Sequence, residues 1–152
     1  MKDIESRNFH TILFRPMQWT IKDLSIAIRT RSLIVHCEYV LEELEDRYIT
    51  ACASLKTNGV NKLERTKKFI SDHNWVVVKA PNTGGGAHLY DREHRKPYDI
   101  VGSILMSWRK RKMHRDSWFC SELAAHLSGL PRPHAYSPKS LYLWANSRKS
   151  LT

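Results

Sequence analysis

The sequence predicts one α+β domain in which helices flank an antiparallel sheet. The length of 152 residues fits a single domain, residues 1–152. Apolar runs rich in β-branched and aromatic residues predict strands near the middle of the chain. Capped segments with helical spacing come before and after them. Because the helices flank the strands, the layout is that of the α+β class.

Composition restricts the class of protein. The chain is 41% hydrophobic and 26% charged, as soluble folded proteins are. It lacks both a run of about 20 apolar residues and a secretory signal, so we expect no transmembrane segment and a cytoplasmic location. Three cysteines without a Cys-x-x-Cys pair predict neither a disulfide framework nor a structural zinc site. The net charge of +10 would attract anionic polymers.

The first elements are an arm and a helix. Residues 1–19 are predicted as an irregular or partly extended arm, with the apolar run 12–14 as its anchor and Pro16 as its end. Thr20 is the expected N-cap of a helix over residues 21–30. The apolar positions of that helix recur at helical spacing: Ile21, Leu24 and Ile28.

Strands follow the first helix. Residues 33–41 and 48–54 are predicted as an antiparallel hairpin, and residues 75–78 as a third strand. A short helix is expected over residues 61–71. Because side chains alternate along a strand, the first strand presents two sets on opposite faces: His36, Glu38 and Val40, and Cys37, Tyr39 and Leu41.

The rest of the chain is predicted to be a long loop and three helices. Residues 81–97 contain three consecutive glycines and are expected to form a loop at the rim of a site. One helix should begin at Asp99 and run to about residue 110. Asp116 or Ser117 is the expected cap of the next helix, and Ser137-Pro138 opens the last one, over residues 138–146.

Cys120 is the first candidate for chemistry. It lies in the first turn of its predicted helix, where free backbone N–H groups and the helix dipole favour a thiolate. A nucleophilic thiolate needs an imidazole partner, and residue types alone do not select one of the eight histidines. The alternative is a silent core cysteine, since cysteine is among the most buried residue types.

His36 is the polar exception in an otherwise apolar strand. A buried histidine must have its ring nitrogens satisfied, so His36 is either a core residue or a catalytic base. Glu38 shares its face of the strand. It is either the group that orients His36 or a surface acid on a half-exposed strand.

These residues together resemble one superfamily. His36-x-Glu38 in a strand, Tyr98-Asp99 opening a helix and the string Phe119-Cys120-Ser121-Glu122-Leu123 opening another resemble the circularly permuted NlpC-type papain-like proteins. This superfamily includes the YiiX-like and the lecithin:retinol acyltransferase-like cysteine hydrolases. Its members place the histidine strand before the cysteine helix, the reverse of papain. The resemblance covers about residues 20–145 and implies a papain-like fold, with a central antiparallel sheet packed against the cysteine-bearing helix.

The resemblance also implies roles. Cys120 would be the nucleophile of a peptidase, amidase or acyl-ester hydrolase, with His36 as its base and a thioacyl intermediate. Relatives place a polar residue on the strand after the histidine, where Thr50 stands, so Thr50 is the second choice behind Glu38 as the orienting group. Tyr98 would line the substrate site. No cofactor or metal is expected, and the substrate would be a peptide, a cell-wall peptide or a lipid acyl compound. A bacterial or bacteriophage origin, with location in the host cytoplasm or the virion, fits this resemblance.

Two rival functions stay open. The basic run 109–115, flanked by Trp108 and Trp118, has the charge and the aromatic rings that nucleic-acid binding uses. The second rival is a catalytically inactive papain-like interaction module. The loop histidines His88 and His94 have no standard metal-site spacing.

Overall fold

A five-stranded sheet with all neighbouring strands antiparallel is the centre of the computed structural model, which describes residues 9–99 and 117–147. The order of the strands across the sheet is β4-β3-β2-β1-β5. This confirms the α+β class and the antiparallel sheet. The strands are β1 (Phe9–Pro16), β2 (Ile34–Glu43), β3 (Arg47–Ser54), β4 (Gly59–Thr66) and β5 (Val76–Pro81).

Five α-helices lie around this sheet in the described part of the chain. They are α1 (Ile21–Thr30), α2 (Lys67–Asp72), α3 (Tyr90–Glu93), α4 (Cys120–Leu127) and α5 (Pro138–Ser147). None of these helices combines the length and the apolar character that crossing a lipid bilayer requires. The predicted strands over 33–41, 48–54 and 75–78 and the helices over 21–30 and 138–146 are confirmed, whereas the helix expected from Asp99 lies outside the described residues.

The predicted N-terminal arm is wrong for residues 9–16, which form an internal strand. β1 pairs with β2 on one side and with β5 on the other. Ile12, Leu13 and Phe14 are all fully buried because their side chains alternate into both faces of the sheet. A short continuous apolar run is typical of such a fully buried strand.

The helix predicted over 61–71 is also wrong in its first half. Residues 61–66 belong to β4, which pairs with β3 along its whole length. Lys62 and Glu64, which looked compatible with a helix surface, instead alternate outward on a strand at the edge of the sheet. α2 then begins at Lys67, after Thr66 accepts a hydrogen bond from the backbone N–H of Phe69 at 3.1 Å.

Two apolar clusters cover the two faces of the sheet. The larger one, which we call the helical face, contains Phe14, Cys37 and residues of α4 and α5. The smaller one joins Leu13 and Trp75 to Ile70 of α2. β2 is the third of five strands and contributes side chains to both clusters. A polar side chain on β2 is therefore shielded from water by the neighbouring strands and by one of the clusters.

The glycine-rich loop packs against α4. The backbone N–H of Gly86 donates to the carbonyl of Leu127 at 2.8 Å, and the Thr83 hydroxyl donates to the carbonyl of Ser128 at 2.5 Å. Part of the predicted loop is helical, as a 3₁₀ turn over Ala87–Leu89 and as α3. The glycine-rich part of the loop therefore packs against the end of α4 opposite Cys120. The later part of the loop lies beside the start of α4, where Glu93 accepts a hydrogen bond from the Trp118 ring and the carbonyl of Pro97 accepts one from the Trp118 backbone N–H.

Candidate active site

Cys120 is the first residue of α4. Phe119 is the N-cap, with extended backbone dihedrals, so the expected cap at Ser117 or Asp116 is wrong. A carboxylate oxygen of Glu122 accepts the backbone N–H of Phe119 at 3.2 Å, which fixes the start of the helix from within its own first turn. The thiol is 3% exposed and belongs to the apolar cluster of the helical face.

His36 is more exposed than Cys120 and Glu38. Its side chain is 16% exposed, whereas the side chain of Glu38 is fully buried. The Nε2 atom of His36 lies 3.3 Å from Oε1 of Glu38, two residues along the same strand and on the same face. The ring also packs edge-on against Trp75, with 6.1 Å between the ring centroids.

Glu38 is held by two further residues. The Thr50 hydroxyl donates to Oε2 of Glu38 at 2.7 Å. The guanidinium of Arg65 donates to both oxygens through Nε and, at 2.6 Å, to Oε1 through Nη2. Burial would raise the pKa of Glu38, but the hydrogen bonds from His36 and Arg65 lower it to about 2. Thr50 therefore orients Glu38, and Glu38 orients the imidazole.

Cys120 and His36 interact, although Cys120 lies on the helical face and the side chain of His36 belongs to the opposite face of the sheet. Cys120 lies against Cys37 on the helical face, and His36 is the residue next to Cys37. The β2–β3 ladder ends at the pair Tyr39–Ala51, so the interaction lies beyond the last paired residues of these two strands. The charges of the Cys120 sulfur and the His36 ring interact, and each shifts the pKa of the other.

This interaction changes the ionisation of both groups. Burial would raise the pKa of Cys120, but hydrogen bonding with Cys37 and the charge of His36 bring it well below its ordinary value. Burial would lower the pKa of His36, but the charges of Cys120 and Cys52 raise it well above its ordinary value. Both shifts favour a thiolate–imidazolium pair over the neutral thiol and imidazole.

Two other cysteines lie near this pair, Cys52 beside His36 and Cys37 beside Cys120. Cys52 on β3 places its sulfur 3.6 Å from Nε2 of His36. Burial, followed by the interaction with Cys120, raises the pKa of Cys37 well above its ordinary value, so Cys37 keeps its proton and can donate it in a hydrogen bond to Cys120. All three cysteines are free and buried.

Three of these residues are missing from the prediction made from sequence. Arg65 was assigned to a helix, which hid its place opposite Tyr48 in the β3–β4 ladder. Cys37 was placed on the face opposite His36, which is correct, but its contact with Cys120 depends on how α4 packs. Cys52 carried a weak signal, since it shares strand parity with Thr50 on the strand next to the histidine.

Tyr98 lies beside the start of α4. Its ring centroid is 5.9 Å from that of Phe119, the residue before Cys120, and its backbone forms an isolated parallel bridge with Trp118. The side chain is half-buried against the helical face. Tyr98 is thus next to the cysteine end of the site, in contact with the N-cap residue.

The residues on which the two rival functions and a loop metal site would depend are described only in part. Trp118 is 5% exposed and stacks on His134 with 5.2 Å between the centroids, so its ring is not free to stack on a base. Trp108 and the basic run 109–115 lie outside the described residues. His88 and His94 are exposed. The described groups close enough to share a metal ion comprise His36, Glu38 and Cys52 instead.

No family model, no curated protein and no solved structure matches the chain. What the site can do therefore follows from its geometry. A thiolate at a helix start, an imidazolium and a buried carboxylate are the groups of nucleophilic acyl transfer.

Proposed function

We propose that this protein is a cysteine hydrolase of the circularly permuted papain-like type, which cleaves an amide or an ester through a thioacyl intermediate on Cys120. The proposal depends on one observation: Cys120 is the first residue of a helix and interacts with His36, and Nε2 of His36 lies 3.3 Å from Oε1 of Glu38. The sulfur supplies the nucleophile, the ring carries the proton and the carboxylate fixes the ring. This is the division of roles that acyl transfer requires.

The two nitrogens of His36 have separate tasks in this proposal. Nε2 faces Glu38 and Cys52, so Nδ1 is the nitrogen assigned to proton exchange with Cys120. The carboxylate of Glu38, kept ionised by Arg65, stabilises the imidazolium and holds the ring plane. The Arg65 ion pair also keeps Glu38 from taking the proton from His36.

The reaction would proceed in two steps. The Cys120 thiolate adds to the carbonyl carbon, and the oxygen takes up the electron pair of the double bond. Collapse expels the amine or alcohol, which takes the proton of the His36 imidazolium and leaves a thioester. A water molecule then attacks the thioester while neutral His36 removes its proton, and collapse releases the carboxylic acid and restores the thiolate.

Backbone groups at the start of α4 would stabilise the oxyanion. The first N–H groups of a helix have no partner within the helix, and the dipole makes this end positive. The N–H of Cys120 is therefore available to the tetrahedral intermediate. Tyr98, beside Phe119, is the candidate for contact with the substrate. Peptides, cell-wall peptides and lipid amides or esters are the substrate classes that share this chemistry.

The ionisation of Cys120 argues against an inactive interaction module. A papain-like scaffold without catalysis needs no thiolate, and an ordinary buried thiol has a raised pKa, as Cys37 does. Cys120 has the opposite shift although it is equally buried. The nucleic-acid alternative gains no support, because the ring of Trp118 is buried.

We predict that iodoacetamide modifies Cys120 faster than the other two cysteines. An ordinary thiol, with a pKa of about 8.5, is almost fully protonated near pH 6, whereas the lowered pKa of Cys120 gives it a larger thiolate fraction at the same pH. Mass spectrometry after brief labelling near pH 6 should therefore locate the adduct on Cys120. Cys120→Ala should abolish this labelling, and the matched variant Cys52→Ala should retain it.

Activity is tested with the same variants. His36→Ala should lower the rate of ester hydrolysis by several orders of magnitude while circular dichroism shows a folded protein. Equal labelling of all three cysteines, or full activity of His36→Ala, would remove Cys120 and His36 from the mechanism.

A further inference from the structure

A second set of ligands meets at Nε2 of His36. Nε2 of His36, Oε1 of Glu38 and the sulfur of Cys52 lie within 4.8 Å of one another. They come from two neighbouring strands, and backbone pairing holds each of them in place: His36 and Glu38 pair with residues of β1, and Cys52 pairs with a residue of β4. Imidazole nitrogen, thiolate sulfur and carboxylate oxygen are the three donor types that zinc accepts.

Two of the three spacings among these atoms match a tetrahedral site, and the third pair, Oε1 of Glu38 and the Cys52 sulfur, lies within 4.8 Å. The distance from Nε2 to Oε1 is 3.3 Å and that from Nε2 to the Cys52 sulfur is 3.6 Å. Zinc bonds of about 2.0–2.1 Å to nitrogen and oxygen and about 2.3 Å to sulfur separate neighbouring tetrahedral ligands by about 3.3–3.6 Å. An ion can therefore bind between them without a change of rotamer at His36.

We infer that His36, Glu38 and Cys52 form a binding site for a zinc-like divalent cation. The ion takes the place of the hydrogen that Nε2 shares with Oε1. Three protein ligands leave a fourth position for water, on the side where His36 is partly exposed.

Arg65 is compatible with this site. It donates to Oε1 of Glu38 through Nη2, and a carboxylate oxygen has a second lone pair for the ion. The Thr50 hydroxyl donates to the other oxygen and Nε of Arg65 donates to both, so Glu38 is oriented by an outer layer of hydrogen bonds, as ligating carboxylates commonly are.

Metal binding would compete with hydrolysis, and this consequence rests on the proposed function. A cation on Nε2 removes the hydrogen bond by which Glu38 orients the ring, and it prevents His36 from becoming an imidazolium. The Cys120 thiolate then lacks its proton donor. The same histidine therefore serves two exclusive states, one with a proton and one with a metal ion.

The test is a zinc titration of the reduced full-length protein against a chromogenic chelator. The wild type and Cys120→Ala should each bind one equivalent of zinc, because Cys120 is not a ligand. Cys52→Ala should bind at least about 100-fold more weakly, as expected when a ligand is lost. Cobalt titration gives a second readout, since a thiolate-to-cobalt absorption band should be present in Cys120→Ala and absent in Cys52→Ala.

The outcomes separate the two proposals. Zinc binding by Cys120→Ala is measured in a protein without the nucleophile, so the result tests the metal site independently of hydrolysis. Equal zinc affinity of Cys52→Ala and the wild type, no binding by the wild type, or loss of binding in Cys120→Ala would each overturn the metal site. Thermal unfolding of each apo variant identifies any loss of binding caused by misfolding.

Discussion

Glu38 is the residue on which both proposals depend. It is a fully buried carboxylate with three polar partners, His36, Thr50 and Arg65. A buried charge is tolerated only when hydrogen bonds and an opposite charge compensate for lost hydration. The compensation is sufficient here to hold its pKa near 2, so the carboxylate stays ionised next to the imidazole.

We predict that Glu38→Gln destabilises the fold by about 3 kcal/mol near pH 7, because Arg65 is left without its counter-charge. The pKa of this carboxyl falls from 4.5 in the unfolded chain to about 2 in the folded protein. Its contribution to stability is therefore complete above about pH 4.5 and is lost as the pH falls toward 2. Urea unfolding at several pH values should show the difference between wild type and Glu38→Gln shrinking across that window. A constant difference would contradict this account.

The sequence pattern identified His36 and Glu38 as site residues but did not identify Arg65. His36 and Glu38 stand out in the sequence because they are two polar residues on one face of an otherwise apolar strand. Arg65 does not stand out, since arginine on an edge strand looks like any exposed charge until β3–β4 pairing directs it toward Glu38. The pairing of distant strands is the information that local pattern lacks.

At the scale of elements, α4 is fixed at both ends. Glu122 satisfies the N–H of Phe119 at its start, and the glycine-rich loop satisfies carbonyls at its end. Gly85 approaches so closely that an added Cβ would lie 2.1 Å from the carbonyl oxygen of Leu127. The loop therefore sets the height of α4 along its axis, and with it the position of Cys120.

We predict that Gly85→Ala lowers both the melting temperature and the rate of Cys120 labelling. The new methyl group must displace the loop from α4, because its nearest neighbours are backbone atoms that cannot rotate away. Gly84→Ala is the matched control. It has open space around its Cβ and carries only the cost of a left-handed backbone, roughly 1 kcal/mol. Equal melting temperatures of the two variants would show that the close approach does not hold α4.

The helices and strands with local signals are the ones that could be predicted. Thr20 and Ser137 accept hydrogen bonds from backbone N–H groups three residues on, as their positions before helical patterns indicate. The start of α4 was misplaced because its capping oxygen comes from Glu122 inside the helix, while Phe119 at the cap has no polar side chain. β1 was missed because its apolar run is short and its partners are strands found only after residue 33.

At the scale of the whole molecule, the sheet brings together residues that are far apart in sequence. His36, Cys52 and Arg65 come from three adjacent strands, and Cys120 comes from a helix about 80 residues further on than His36. β2 can occupy the centre of the sheet only because β1 separates it from β5. The N-terminal strand is thus part of the framework of the site, although it contributes no residue to the proposed chemistry.

Two phenylalanines of β1 test this role. We predict that Phe14→Ala costs about 3–5 kcal/mol of unfolding free energy, because the ring is fully buried and packs edge-on against Tyr142 of α5. Phe9→Ala, in the same strand but with the ring 42% exposed, should cost less than about 1 kcal/mol. Because Phe14 pairs with Cys37 across β1 and β2, its loss should also loosen the contact between Cys37 and Cys120 and slow labelling near pH 6. Chemical denaturation measures the first effect and mass spectrometry the second. If the two substitutions lowered the free energy of unfolding by similar amounts, β1 would not be part of the framework that supports the site.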